Sequence, residues 1–320
     1  MTCPRCNGLD CKRFGFFGPL RLQRFRCCGC GKTFSEDPKR LLGNLRIPEA
    51  TGIQIARLLA EGIGVRASAR LAGCHRDTVL AVLEVIGASC EAFLDRAIRG
   101  LRCESIQIDE LWAPVLVKQR NNHHLAPDRG DFYTFLALDA RSKLILAHRT
   151  GKRNENTTTH FIADLATRVD GRTQITTDGW KPYQTTIPWA FENRVDFAIQ
   201  VKSYGNEPAD MSSARHHLTP VVKSVKVHVI EGDPDRRKIS TSYCERANLS
   251  VRTFNRRFTR LCMGFSKKVA NHAHSMALFV AAHNFCRKHH TLKTTPAVAH
   301  GLTDHVWTIE ELLREAAKVA

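Results

Sequence analysis

The chain is expected to be an α/β protein. Its main domain reads strand, strand, strand, helix, strand, helix, strand, helix, and a cysteine-rich module and a helical module precede it. Three observations predict this. Two Cys-x2-Cys pairs, Cys3/Cys6 and Cys27/Cys30, stand near the start with twenty residues between them. Helical periodicity fills the stretch from Pro48 to Gly100. From Leu101 the period changes: in S-I-Q-I-D-E-L-W (105–112), Ile106 and Ile108 alternate with Gln107 and Asp109, so a strand there puts the isoleucines on one face and a carboxylate on the other.

Composition narrows the class of partner. The 320 residues hold 48 Lys and Arg against 31 Asp and Glu, a net charge of +17, which predicts a polyanionic partner, most often nucleic acid. The charge is concentrated at two places. Residues 1–46 carry ten basic and three acidic side chains, and 236–293 carry thirteen basic ones with Glu245 the single acid. The longest apolar run, 276–282, is too short to span a bilayer and the start has no signal pattern. A cytoplasmic, nucleoid-associated protein with no membrane partner is therefore expected. Twelve Cys, six of them in the first thirty residues, point in such a chain to metal binding and buried thiols rather than disulfides.

Taken in order, residues 1–46 are expected to be a zinc ribbon. Four thiolates at Cys3, Cys6, Cys27 and Cys30 close tetrahedrally around structural Zn²⁺, Gly29 and Gly31 suit the tight knuckle turn, and Cys11 and Cys28 remain as free thiols. Arg21, Arg24, Arg26 and Lys32 would let the ribbon touch DNA. Residues 47–100 are expected to be a helix-turn-helix DNA-binding domain. Ala69, Gly73 and Val79 fall at its small, turn and apolar positions, with Ala72 and Val82 as inner contacts. The recognition helix then starts near His75, with Arg76 and Thr78 at the end that meets base edges and phosphates.

Residues 101–320 form the third expected domain. Strands follow at 131–142 and 143–149 with a turn at 140–142, then a helix over 156–169, a strand over 173–177, a short helical piece at 182–189 and a strand over 195–204. That order is that of a ribonuclease H-like domain, the class of the retroviral integrases. An insertion near 205–240 contains a polar loop and an alternating strand over 221–230. From Thr241 a helix carries Tyr243, Ala247, Val251, Phe254, Phe258 and Leu261 as an apolar stripe, with Glu245, Asn248 and Arg252 on a neighbouring face. Arg256, Arg257, Arg260, Lys267 and Lys268 extend it as a basic surface, and an apolar helix runs over 275–285.

Three acids on separate elements make a candidate metal cage: Asp109 in the first strand, Asp178 closing I-T-T-D-G-W, and Glu245 opening the long helix. Asp139, in A-L-D-A-R-S, reads as a turn acid instead. The ribbon, the helix-turn-helix, the three acids, E-R-A-N-L-S-V-R, R-R-F-T-R-L, F-S-K-K and the closing G-L-T-D-H-V-W-T-I-E-E-L-L together resemble bacterial insertion-sequence transposases of the insertion sequence 1 group. The resemblance implies a DDE catalytic domain with Asp109, Asp178 and Glu245 as catalytic Mg²⁺ (or Mn²⁺) ligands. It also implies element-end and target DNA as substrates and a homodimer or higher homo-oligomer. A DNA-binding regulator derived from such an enzyme, or a metal nuclease without strand transfer, uses parts of the same residue set.

Overall fold

The computed structural model describes residues 2–17, 22–35, 41–123, 126–206 and 220–318. Arg21, His124 and most of the expected polar loop (207–219) lie outside them. The chain divides into two compact units, Met1–Arg46 and Ile47–Ala320.

In the first unit, β1 (Cys11–Phe17), β2 (Leu22–Cys27) and β3 (Thr33–Ser35) make a small antiparallel sheet. Phe25 and Phe34 stack across it at 5.9 Å. The two knuckles lead off its ends. Asn7 N–H bonds back to the Cys3 carbonyl and Gly31 N–H to that of Cys27, both at positive φ (57° and 70°). Only Gly31 of the two expected glycines is thus needed for its conformation.

The second unit opens with α1 (Glu49–Ala60), α2 (Val65–Leu71) and α3 (Arg76–Ala97). Gly73 takes φ +63° in the turn between α2 and α3, and Ala69, Val79 and Val82 are buried beneath it. His75 caps α3, its Nδ1 accepting from Asp77 N–H at 3.3 Å. The chain then turns at Gly100 (φ +64°) into the sheet.

Strand β4 (Ser105–Val115) pairs antiparallel with β5 (Gly130–Asp139), which pairs antiparallel with β6 (Ile145–Gly151). The expected meander is present. Helix α4 (Glu155–Arg168), capped by Asn154, carries the chain back across the sheet to β7 (Thr173–Thr177), parallel to β4. Helix α5 (Tyr183–Phe191) leads to β8 (Val195–Asn206), parallel to β7, and β9 (Pro220–Glu231) closes the edge antiparallel to β8. The resulting mixed six-stranded sheet runs β6-β5-β4-β7-β8-β9, an order consistent with a ribonuclease H-like fold.

Alternation along β4 decides what each face receives. Ile106 and Ile108 join Phe135, Phe161, Ile162 and Leu165 in a buried layer under α4, with Phe135 and Phe161 rings 5.6 Å apart. The other face takes α6 (Ser242–Phe254). There Gln107 Oε1 accepts from the N–H groups of Tyr243 (2.8 Å) and Cys244 (3.1 Å), two donors that the first turn of a helix leaves free.

The expected stripe on α6 needs correcting. Cys244, Ala247, Asn248 and Val251 are the buried side chains, whereas Tyr243 is exposed beneath the Lys143 ammonium and Leu261 is wholly exposed. The cause is a break at Asn255. Its Oδ1 accepts from Arg257 N–H and its amide donates to the Ser275 carbonyl, so the helix stops and Phe258 is buried by a short 3-10 turn instead. Helix α7 (Val269–Phe285) starts six residues before the expected 275 and is buried almost all round. Asn284 on it holds both the N–H and the carbonyl of Ile145 in β6. The chain ends in α8 (Pro296–His300) and α9 (Ile309–Ala317), the latter started by a Thr308/Glu311 capping box. Among the described residues no helix is long and apolar enough to cross a membrane.

Candidate active site and metal centre

The three acids stand where the sheet converges on α6. Asp109 projects from the middle of β4, Asp178 follows the last residue of β7, and Glu245 sits in the first turn of α6. Asp109 is held at both oxygens, Oδ1 by Glu110 N–H (2.8 Å) and Oδ2 by the Asn248 amide (2.8 Å). Burial first, then the nearby charges of Asp178 and Glu245, push its carboxyl up to about 6 against those two donors. The three carboxylates therefore share one electrostatic field.

Each of the other two acids has a cation beside it. Arg153 Nη2 lies 3.4 Å from Asp178 Oδ2, and Lys202 Nζ on β8 lies 2.5 Å from Glu245 Oε1. Burial opposes ionisation of Glu245, yet Lys202 and the Thr241 hydroxyl hold its carboxyl below the usual range. Asp178 also accepts from Trp180 N–H at 2.9 Å, a turn that Gly179 permits by leaving room beside Val201.

Sequence reading missed Glu110, Arg153, Tyr183 and Lys202. The signal was the D-E pair itself: adjacent residues of a strand face opposite ways, so Glu110 had to be buried on the α4 side and needed partners there. It has them. Arg153 Nε donates to Glu110 Oε2 (3.0 Å) with Nη2 ion-paired to the same oxygen at 2.9 Å, and the Tyr183 hydroxyl donates to Oε1. Burial nevertheless pushes Glu110 up to about 7, with Asp178 adding to the shift. Arg153 in turn lies over the Trp180 ring at 4.2 Å, so one guanidinium ties Glu110, Asp178 and Trp180 together.

All-oxygen donors suit a hard divalent cation such as Mg²⁺ rather than a soft one. Asp109, Asp178 and Glu245 fit that chemistry, with Asn248 orienting Asp109. They are not drawn into a tight cluster: among the described residues, the one group of three or more His, Cys, Asp or Glu with ligand atoms all within 4.8 Å is Cys3, Cys6, Cys27 and Cys30. In that group, sulfur separations of 3.7 Å (Cys3–Cys30) and 3.5 Å (Cys6–Cys27) approach the roughly 3.8 Å that tetrahedral zinc–sulfur bonds of ~2.3 Å impose. The Cys30 backbone N–H draws the Cys27 thiol down to about 6, toward the thiolate a metal needs. The cluster is compatible with a zinc site. Cys11 and Cys28 stay outside it, as expected.

Asp139 is the turn acid expected. It is buried, and its Oδ2 accepts from Ser142 N–H (2.8 Å) and Oγ–H (2.5 Å) and lies 3.7 Å from His300 Nδ1. It forms the β5–β6 turn from inside.

Of the basic residues named from sequence, Arg76, Arg252, Arg256, Arg257, Arg260 and Lys267 line two clefts of the second unit. One, of about 880 Å³, brings Arg66, Arg70 and Arg76 of the first helices opposite Arg256, Arg257 and Lys267. The other, of about 740 Å³, is lined by Arg252, Arg257 and Arg260 beside Trp112. His75, Arg76 and Lys268 are exposed, and Thr78 is half-buried. Arg252 lies close enough to Asp109 to feel its charge, although burial, then Arg260, draw its guanidinium down to about 10.

No protein-family profile matches the chain, and no curated protein matches it. Among solved structures it is similar to the piggyBac transposase synaptic complex with hairpin DNA, at 9% identity and a TM-score of 0.40, over 84% of this chain and 69% of that one. The site is therefore read from its own residues.

Proposed function

We propose that the protein is a DDE-type DNA transposase that binds the ends of an insertion sequence, cleaves their 3′ strands and joins them to target DNA. The observation that supports this reading is the buried Asp109 on β4, whose carboxyl is pushed up to about 6, first by burial and then by the nearby charges of Asp178 beyond β7 and Glu245 on α6. Acids gathered at such a cost in a basic protein are consistent with binding divalent cations against a polyanion.

In this reading Asp109, Asp178 and Glu245 hold Mg²⁺ or Mn²⁺. Such ions supply activation of the attacking oxygen, a water for cutting and a 3′-hydroxyl for joining, and stabilisation of the leaving one. The chain's own groups prepare the site. Asn248 and the Glu110 N–H fix the Asp109 carboxylate in one orientation. Arg153 and Lys202 balance the charges of Asp178 and Glu245, so the acids can be held near one another before substrate arrives. Arg252 and the two arginine-lined clefts would hold DNA phosphates beside them. The four-cysteine ribbon would bind structural Zn²⁺ and add DNA contacts through Arg24 and Arg26, while two or more copies would pair the element ends.

Incubation of the protein with linear duplexes carrying candidate ends, a supercoiled target plasmid and Mg²⁺ tests the proposal. Joined product that requires Mg²⁺ is expected. Binding without cutting would mark a DNA-binding regulator, and cutting without joining a nuclease.

A narrower expectation concerns Arg76. Because it is exposed at the start of α3 and shares a cleft with Lys267, Arg76→Ala should cost ~1–3 kcal/mol on a cognate end and much less on random DNA if it reads a base. Replacing Lys267 and Lys268 should weaken both and flatten the salt dependence. Equal losses on both DNAs for Arg76→Ala, measured by titration, would make Arg76 a phosphate contact.

A further inference from the structure

Lys202 on β8 differs from the other cations around the site. Among the described residues its one ion pair is with Glu245, Nζ to Oε1 at 2.5 Å, and its side chain is only 18% exposed. Arg153 is committed elsewhere. Two of its nitrogens meet Glu110 Oε2, its guanidinium lies over the Trp180 ring, and Asp178 is the more distant neighbour at 3.4 Å. An ammonium largely out of water with a single acid partner resists losing it, because its charge would be left unmatched.

The grip on Glu245 is double. Thr241 Oγ1 donates to the same Oε1 at 2.7 Å, so that oxygen is held by β8 and by the residue just before α6. It is not turned to Asp109, and the oxygens of the three acids do not all lie within 4.8 Å of one another. A protonated amine has three donors. Lys202 uses one of them on Glu245, and the other two have no acceptor among the described residues.

Charge points the same way. The charged groups that act on Asp109, Asp178 and Glu245 are Glu110, Arg153, Lys202 and Arg252. Four carboxylates against three cations leave one negative charge. A single divalent ion together with one phosphodiester cancels it. A second ion would leave two positive charges unmatched in a site that is partly out of water, where like charges repel strongly.

We propose that Lys202 is a built-in cation that stands in for a second metal ion, so that the acids of each chain hold one divalent ion rather than a pair. Its two spare N–H groups then meet an oxygen of the reacting phosphate. This rests on the reading of the acids as a metal centre for DNA cleavage, and it narrows that reading. Paired-ion sites divide the attacking and leaving oxygens between two metals; here a lysine serves one of the two.

The test counts Mn²⁺ bound to the full chain without DNA, by electron paramagnetic resonance, taking the ions lost in Asp109→Asn as those of the site. Wild type should bind one. Lys202→Met, similar in length but uncharged, should bind two; Lys202→Gln replaces it should methionine prevent folding. Lys202→Arg, which keeps the charge, and Thr241→Val, which frees Oε1 without altering charge, should both stay at one. In cleavage assays the dependence on Mg²⁺ should rise from first to second order when the Lys202 charge is removed. Two ions on the wild-type chain would overturn the proposal, whatever the variants do. So would a folded Lys202→Met or Lys202→Gln chain that stays at one ion, even if it binds that ion more tightly. A chain that binds no Mn²⁺ at these acids, with Lys202 or without it, would instead take down the reading of them as a metal centre.

Discussion

Asp109→Asn is expected to reduce DNA cleavage by ~10³-fold or more while making the metal-free protein more stable at pH 8. The first half follows from removing one of three carboxylates that act as a unit; Glu245→Gln should do the same. The second half follows from linkage. The folded-state carboxyl of Asp109 is raised from 3.8 to about 6, so its favourable contribution is present below pH 4 and is lost as pH rises through about 6. Above pH 7 the buried charge costs about 3 kcal/mol relative to the protonated form. Asparagine has no such charge and still fits. Its Oδ1 can accept from Glu110 N–H, and its amide can donate to Asn248, whose Oδ1 is buried without a partner and needs only a side-chain flip to accept. Thermal melts without metal should show the variant several degrees above wild type at pH 8, with the gap closing by pH 4. A variant that cuts normally, or that melts below wild type at both pH values, contradicts the site as assigned.

The second large effect is expected at the ribbon. Withdrawing metal with a chelator should unfold residues 1–46, because three short strands and one Phe25–Phe34 stack bury too little to offset the chain entropy of so small a unit. Metal analysis should find one zinc per chain, and Cys27→Ser should abolish it. Circular dichroism of the isolated 1–46 fragment with and without zinc checks this directly. A fragment that stays folded after the metal is removed would show that the four sulfurs are neighbours for another reason.

Much of the second unit was legible because its signals are local. Alternation around Asp109 marked β4 and assigned its faces, Asp178-Gly179 marked the end of β7, and Gly73 marked the turn that its φ of +63° requires. What escaped was set by tertiary context. Helix α7 began earlier than expected because a helix buried all round has no apolar stripe to mark its start. Leu261 extended the α6 periodicity on paper, but Asn255 stops the helix first and spends both ends of its amide on other segments. Arg153 and Lys202 are ordinary basic residues in sequence, and only the topology sets them beside Asp178 and Glu245. Asp139 was legible as a turn acid, but its burial was not, because a turn acid reads the same from outside and from inside.

Gln107 has a consequence for how such a chain tolerates change in length. Its side chain grips the first turn of α6 at Tyr243 and Cys244, and Asp109 lies two residues along the same strand face. The span from anchor to acid is therefore counted in strand residues, where one inserted residue would turn Asp109 to the Phe161 side of the sheet. The single residue between Gln107 and Asp109 should therefore stay fixed in number in descendants of this protein.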